Sequence, residues 1–460
     1  MRVMKFGGTS VGSGQMLVRV ADIIKATPGE KVVVVSALAG VTDALVDAVG
    51  RIRKDETAIA PFLDALRDRH VQAASDALAD EAAVDAVSAD IDVLMQRLER
   101  LLYGIAYTEE VTGKSRDAVV VFGERLSARL LAAVLRRRGT PAEALDAEAA
   151  GILTDGVYGN ATPDMAATAR AFEGTIAPRL KAGTTPVVTG FFGVDRDGHV
   201  TTFGRGGSDF AASIVAAALR AERLEVWKDV DGFMTADPRI IKDAVTVQEM
   251  SYDEAAELAY VGARVLHPRT VEPVKPAGIP IFVRNTQKPA FEGTKIHASP
   301  RETRFALRSA ATKEKLAILR CYGPGMAYTP GIGARVFTAL GQAKVNVYNM
   351  AASQASFALL VDDDNVEKGL KALEPVKEGI IERIEGLRDM TLVCVVGHGI
   401  GATHGTAGRI FSAVGAAGVN IEMISVGASD IALNFCIRSS DKERAVRAIH
   451  DAFLRFGGPK

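Results

Sequence analysis

Short runs of β-branched and aliphatic residues recur from the N-terminus to about Asn285. They read VVVVSA from Val32, AVVVFG from Ala118, PVVTGFFG from Pro186, LEVWKDV from Leu224 and IPIFVRN from Ile279. Apolar runs without polar alternation suit strands covered on both faces, so they predict a mainly parallel sheet with helices packed against it. Between about residues 51 and 112 the pattern turns helical, with Val87, Ile91, Leu94, Leu98, Leu101 and Ile105 along one face. That stretch predicts packing rather than chemistry.

Beyond about residue 300 the texture changes and the chain repeats itself. GIGARVFTALGQAKVNV from Gly331 aligns with GTAGRIFSAVGAAGVNI from Gly405, 74 positions on. The same register, without gaps, carries AILRCYG from Ala317 onto TLVCVVG from Thr391 and FALLV from Phe357 onto IALNF from Ile431. Arg335 and Arg409, Phe337 and Phe411, and Asn346 and Asn420 coincide. The tail therefore reads as two copies of one strand-turn-helix-strand-strand-helix unit.

Composition narrows the class. A chain of 460 residues with 48% hydrophobic content can bury a large core and divides into two or three domains. Basic and acidic residues number 55 and 56, and aromatics are only 6%, which argues against nucleic acid and against an anionic membrane as partners. The longest apolar run, Val32 to Val41, is broken by Ser36 and Gly40 and is too short to span a bilayer. Three cysteines without a CxxC pair, and no charged-then-apolar leader, lead us to expect a soluble cytoplasmic protein. His398 and His404 stand in a glycine loop without cysteine or carboxylate between them, so no protein-held metal is expected there.

Candidate chemistry begins at MKFGGTSVGSG, residues 4 to 14. Lys5 precedes the glycines, whereas a Walker A lysine follows them, and the spacing also fails the dinucleotide fingerprint. A lysine beside bare glycine amides can still face phosphate oxygens; a lysine before a tight turn is the plainer explanation. A second glycine-rich stretch, TTFGRGGSDFAASIVAAAL from Thr201, runs into a helix whose positive end would face an anion above Gly206 and Gly207. There Arg205 offers a fork for a carboxylate or phosphate, and Ser208 and Asp209 are either a helix cap and first-turn acid or site residues. Glu124, in VFGERLSARLLAAVL, is expected at a strand-to-helix junction, as a helix-start charge or as the receiver of an ammonium group. Lys228, Asp229 and Arg239 follow a strand end, where open α/β sheets bind ligands.

Together KFGGTSV, VVVVSALAGVTDAL, FGERLS, GRGGSDFAA, WKDVDGFMTADPR and GARVLHPRT resemble the aspartate kinases, in the family's order and across essentially the whole chain. The resemblance implies an α/β fold, an amino-acid-kinase αβα sandwich over residues 1–300. Two α+β ACT domains of ferredoxin-like form would follow, over 301–385 and 386–460. It implies transfer of the ATP γ-phosphoryl group, with Mg²⁺, to the β-carboxylate of L-aspartate. Lys5 and Asp209 would be catalytic, with Gly7, Gly8 and Thr9 at the nucleotide phosphates. Arg205 would take the aspartate α-carboxylate, Glu124 its ammonium, and Ser36, Thr42, Gly206, Gly207 and Ser208 would complete the substrate site. Lys228, Asp229, Met234, Arg239 and Arg264 fall on nucleotide-side positions; Lys228, Met234 and Arg264 depart from the residues frequent there. Met326, Thr329, Gly331, Ile332, Asn346 and Val347 would line an allosteric site for lysine or threonine, in a homodimer or larger homo-oligomer. A kinase for glutamate, acetylglutamate or UMP, and a non-catalytic amino-acid sensor, are the competing readings. The acid and base pair Glu124 and Arg205 opposes the first, and intact Lys5, Glu124 and Asp209 oppose the second.

Overall fold

The computed structural model describes residues 1–262, 265–300, 307–324, 326, 329–377, 381–398, 400–401, 403–427 and 429–454. The chain forms two compact units. The first is Met1–Gly232 with Gln248–Tyr252 and Val265–Pro300; the second is Phe233–Val247 with Asp253–Arg264 and Arg301–Lys460.

The first unit is built on strands β1 (Arg2–Phe6), β2 (Lys31–Val35), β3 (Ala142–Leu145), β4 (Thr185–Thr189), β5 (Phe192–Val194), β6 (Val200–Thr202), β7 (Arg223–Lys228), β8 (Glu249–Met250), β9 (Ile281–Asn285) and β10 (Thr294–Ile296). Eight of them make one sheet in the order β3-β4-β2-β1-β7-β9-β10-β8. Every neighbouring pair is parallel except β9 with β10. Val32, Val33, Val34 and Val35 are all fully buried, as a strand covered on both faces requires. β5 and β6 form a separate antiparallel hairpin.

Helices Gly14–Ala26, Ile59–Leu78, Glu81–Thr108 and Phe122–Arg137 share one core cluster with β1 and β2. Along Glu81–Thr108 the buried face runs through Val87, Ile91, Leu94, Leu98, Leu102 and Ile105, with Leu101 only partly buried. The expected stripe is thus right but for its Leu101 member, which flanks the face.

One expected strand is a helix. Val119, Val120 and Val121 belong to Gly113–Val120 and the turn into Phe122–Arg137. β-branching favours strands weakly, and here a run buried on all sides suits a helix end equally well.

In the second unit a six-stranded antiparallel sheet has the order β12-β13-β11-β14-β16-β15, from β11 (Ser309–Tyr322), β12 (Asn349–Ala352), β13 (Ser356–Asp362), β14 (Arg383–Val396), β15 (Met423–Ser425) and β16 (Ala432–Arg438). The two long strands serve both repeats. Leu316–Tyr322 of β11 pairs with β13, while Met390–Val396 of β14 pairs with β16. The β11–β14 register shifts between Lys313 and Leu316, and Lys315 (φ +59°) and Asp389 (φ +60°) take left-handed backbone at the bends. Each repeat covers its sheet with its own helices, Ile332–Gln342 and Val366–Leu373 in one and Thr406–Ala416 and Lys442–Ile449 in the other.

The repeat is not gapless. Leu319 pairs with Leu359, and its counterpart Val393 pairs with Phe435, so the offset of 74 in the first strand has become 76 in the third. Two extra residues lie in the connection from β15 to β16. An even insertion keeps every side chain on its face, which is why FALLV and IALNF still align by pattern. Among the described residues no helix is long and apolar enough to cross a membrane.

Candidate active site

Three charged side chains meet at the carboxyl ends of the central strands. Lys5 on β1 and Lys228 at the end of β7 come from adjacent parallel strands, and Asp209 comes from the first turn of helix Gly207–Ala218. Lys5 Nζ lies 2.5 Å from Asp209 Oδ1, and Lys228 Nζ donates to Oδ2 at 2.9 Å. Burial would raise the Asp209 pKa, but the charges and hydrogen bonds of Lys228 and Lys5 prevail and hold it far below the carboxylate range. For Lys5 burial dominates and lowers the pKa, against the opposing pull of Asp209. The triad is nearly closed to water, with Lys5 and Asp209 only 4–5% exposed. Lys5 is therefore no surface lysine.

The glycines before and after this triad are required by space. A Cβ on Gly8 would stand 2.9 Å from the Ala37 carbonyl oxygen. Gly206 caps helix Gly207–Ala218 at φ +73°, and a Cβ there would come within 2.2 Å of the His267 ring. Gly7 donates its N–H to the Trp227 carbonyl at 3.2 Å, fixing the lysine loop to the end of β7. Ser10, fully buried, adds a hydroxyl contact to Thr286 at 3.2 Å, and Thr286 in turn donates to the Lys228 carbonyl at 2.8 Å.

Glu124 is 2% exposed and stands in the first turn of helix Phe122–Arg137, after another helix rather than after a strand. Its Oε1 accepts from the Ala37 N–H at 3.1 Å and from Ser208 Oγ at 3.5 Å; Oε2 is buried without a hydrogen-bond partner among the described residues. Burial pushes its pKa up to about 8, although the Ala37 N–H and Lys5 pull the other way.

A cavity of about 330 Å³ joins these groups. Lys5, Gly8, Ser36, Thr42, Glu124 and Asp209 line it together with Gly204–Ser208, so every residue expected to be catalytic or to bind the amino-acid substrate borders one space. Arg205 is exposed at its rim. Phe191 also lines it, a residue the motifs did not single out. Its φ of +76° lies in a tight turn closed by the Phe192 N–H on the Gly190 carbonyl.

The remaining expected residues that the structure describes do not line this cavity. Gly7 is buried behind the loop, and Thr9 and Asp229 are exposed. Met234 and Arg239 belong to the second unit, where Met234 bridges to Thr246 and Arg239 pairs with Asp237. Arg264 lies outside the described residues. Of the expected effector residues, Met326 and Ile332 are core residues, Val347 packs against that core, Thr329 is partly buried, and Gly331 and Asn346 are exposed. Among the described residues, the three-member group at metal-binding distances is Asp195, Asp197 and His199, in the β5–β6 hairpin.

Comparison with known proteins identifies the family. The amino acid kinase family model matches residues 1–285, and an ACT domain model matches 319–375 and 393–453. Aspartokinase 3 of Arabidopsis thaliana, a chloroplastic protein, is 34% identical over 98% of this chain and 81% of its own length. A bifunctional aspartokinase/homoserine dehydrogenase of Zea mays is 32% identical over 98% of this chain, which spans about half (50%) of that relative. The crystal structure of E. coli aspartokinase III with aspartate and ADP superimposes with a TM-score of 0.84 at 30% identity, covering 98% of this chain and 99% of that one. The form with lysine and aspartate gives 0.83 at 30% identity over 99% of this chain and 100% of that one. With Lys5, Glu124, Asp209 and the two glycine turns gathered in one cavity of an amino acid kinase sheet, and the ACT pair behind it in sequence, the chain belongs to the aspartokinase family.

Proposed function

We propose that this aspartokinase uses the cavity to transfer the γ-phosphoryl group of ATP to the β-carboxylate of L-aspartate, giving 4-phospho-L-aspartate and ADP. The observation that carries the reading is Glu124. A buried carboxylate with one oxygen unpartnered among the described residues, lining the cavity that also holds Lys5 and Asp209, suits a free α-ammonium group. The E. coli relative's complex with aspartate and ADP supports the same pair of ligands.

In the proposed step a β-carboxylate oxygen attacks the γ-phosphorus, the bond from phosphorus to the β,γ-bridging oxygen breaks, and ADP leaves with that electron pair. The acceptor is already ionised at neutral pH, so no general base is needed. Lys5 and Lys228 are placed to meet the phosphates, and Asp209 holds both side chains in position. Mg²⁺ enters with ATP as part of that substrate. Both Asp209 oxygens are engaged by lysines, so its part is to order the lysines rather than to act as a free ligand. Arg205 takes the α-carboxylate at the rim, while Ser36, Thr42, Gly206, Gly207 and Ser208 shape the substrate end. Gly7, Gly8, Thr9 and Asp229 stand on the nucleotide side.

The ACT pair serves as the amino-acid sensor in this reading. Lysine or threonine would bind near Met326, Thr329, Gly331, Ile332, Asn346 and Val347 in a homo-oligomer and favour a less active state; the E. coli relative's complex with lysine and aspartate supports an effector of this kind. Three buried free thiols, Cys321, Cys394 and Cys436, fit a reducing compartment such as the cytoplasm. The activity is tested by ADP release with MgATP and, in turn, aspartate, glutamate and UMP. Turnover with aspartate alone is expected, and equal or greater turnover with either rival refutes the reading.

A further inference from the structure

The turn that offers Arg205 and Ser208 to the cavity is held from behind by a short segment, His267-Pro268-Arg269, which does not line the cavity. Arg269 makes three hydrogen bonds with one guanidinium. Its Nη1 donates to Asn160 Oδ1 at 3.0 Å and to the Phe203 carbonyl at 3.1 Å, and its Nη2 donates to the Ala161 carbonyl at 3.2 Å. The same group stands over the Phe210 ring, 4.1 Å from its centroid. Phe203 immediately precedes the turn and Phe210 lies in the helix that follows it, so one side chain grips the segment at its entry and its exit.

His267 meets the middle of the turn. Its ring occupies the space where a Cβ of residue 206 would be, 2.2 Å from Cγ, and Gly206 answers with φ +73°. The ring is itself set by the Arg269 N–H, which donates to His267 Nδ1 at 3.4 Å. On the far side Asp117, 1% exposed, accepts from the N–H groups of both Gly159 and Thr202 at 2.8 Å. The segment Gly159–Ala161 that Arg269 grips is therefore anchored independently of it.

We propose that Arg269 and His267 are positioning residues that fix the Gly204–Ser208 turn so that Arg205 and Ser208 meet the amino-acid substrate. The proposal rests on the aspartate reading given above. Arginine is needed because a planar fork can satisfy three acceptors while stacking on a ring, which a lysine ammonium cannot do. Arg205 depends on this support because a long, exposed side chain binds a carboxylate well only when its backbone is fixed. Asp209 is buffered by its own bonds to Lys5 and Lys228, so the nucleotide side feels the loss less.

The test is steady-state kinetics of full-length Arg269→Ala and Arg269→Lys, with KM for aspartate and for ATP measured separately. The aspartate KM is expected to rise about tenfold or more in both variants while the ATP KM stays within about twofold. Added guanidinium at millimolar concentration is expected to restore a substantial part of the aspartate affinity in Arg269→Ala and to leave the wild type unchanged. An aspartate KM within about twofold of wild type, or equal rises in both KM values, overturns the proposal. Should Arg269→Ala fail to fold, His267→Ala, which keeps the guanidinium fork, decides the matter by the same split. Absence of aspartate turnover in the wild type would refute the functional reading itself and so is distinct from failure of the support.

Discussion

Lys5 Nζ stands 2.5 Å from Asp209 Oδ1, with both side chains almost fully withdrawn from water at 5% and 6% exposure. A buried pair of this kind is costly to assemble and severely disrupted when one partner is lost. Here Lys228 shares the carboxylate, so the charge of Asp209 survives removal of Lys5. Lys5→Ala is expected to fold and bind aspartate yet lose about two orders of magnitude or more in kcat, the scale seen when a preorganised charge on a transferring group is removed. ADP-release assays check this, and activity within about threefold of wild type would refute the role of Lys5.

Glu124 gives the site a pH signature. Its pKa of about 8 means that the empty site holds a proton on this carboxyl at neutral pH. An ammonium ligand favours the ionised form, so binding releases the proton and affinity rises with pH, by up to about tenfold per unit below pH 8 and levelling above it. Isothermal titration with aspartate between pH 6.5 and 8.5 should show this slope in the wild type. It should be absent in Glu124→Gln, whose aspartate affinity is expected to be about tenfold to hundredfold weaker with little change for ATP.

Gly206→Ala combines a left-handed backbone cost of about 1–2 kcal/mol with direct overlap on the His267 ring. The expected outcome is a loss of about tenfold or more in kcat/KM for aspartate together with a lower melting temperature. Unchanged kinetics would show that the turn tolerates displacement.

His70 makes the first unit sensitive to acid. Burial lowers its pKa from 6.5 to about 4, although the contact of Nδ1 with the Leu66 carbonyl at 2.7 Å pulls it upward. The unfolded chain therefore takes up the proton first as pH falls. Stability is fully present above pH 6.5 and is lost progressively between 6.5 and 4, by roughly 3 kcal/mol from this group. Urea unfolding across that range should be steeper in pH for the wild type than for His70→Asn, and parallel curves would remove His70 as the cause.

Asn346 is exposed just before β12, where an effector could reach it. Asn346→Ala is expected to relieve inhibition by lysine or threonine while leaving uninhibited activity within about twofold, in line with an allosteric coupling of about 1–3 kcal/mol. If neither amino acid inhibits the wild type at millimolar concentration, the ACT pair is better explained as an oligomerisation module.

Much of the site was legible in order along the chain. Lys5 before two glycines and Arg205 to Asp209 at a helix start are local patterns, and local chemistry fixes which groups are offered, whereas Glu124, expected after a strand, follows another helix. The helical identity of Val119–Val121 was not legible, because β-branched propensity is weak against the burial that a neighbouring helix supplies. Nor was Phe191, whose left-handed φ has no signature in an aromatic residue, nor Ser10, whose hydroxyl partner Thr286 lies 276 residues away.

Sequence by itself determined most of the apolar strand runs, the duplicated tail and the identity of the charged groups, because each depends on the order of residues along one segment. Tertiary structure alone decided that β1 and β7 are neighbours and so bring Lys5 and Lys228 onto one carboxylate. It also decided that Glu124 is buried enough for its pKa to climb to about 8, and that the two repeats share their long strands. Those features depend on which distant segments exclude water from one another, and desolvation is a property of the assembled fold rather than of any stretch of chain.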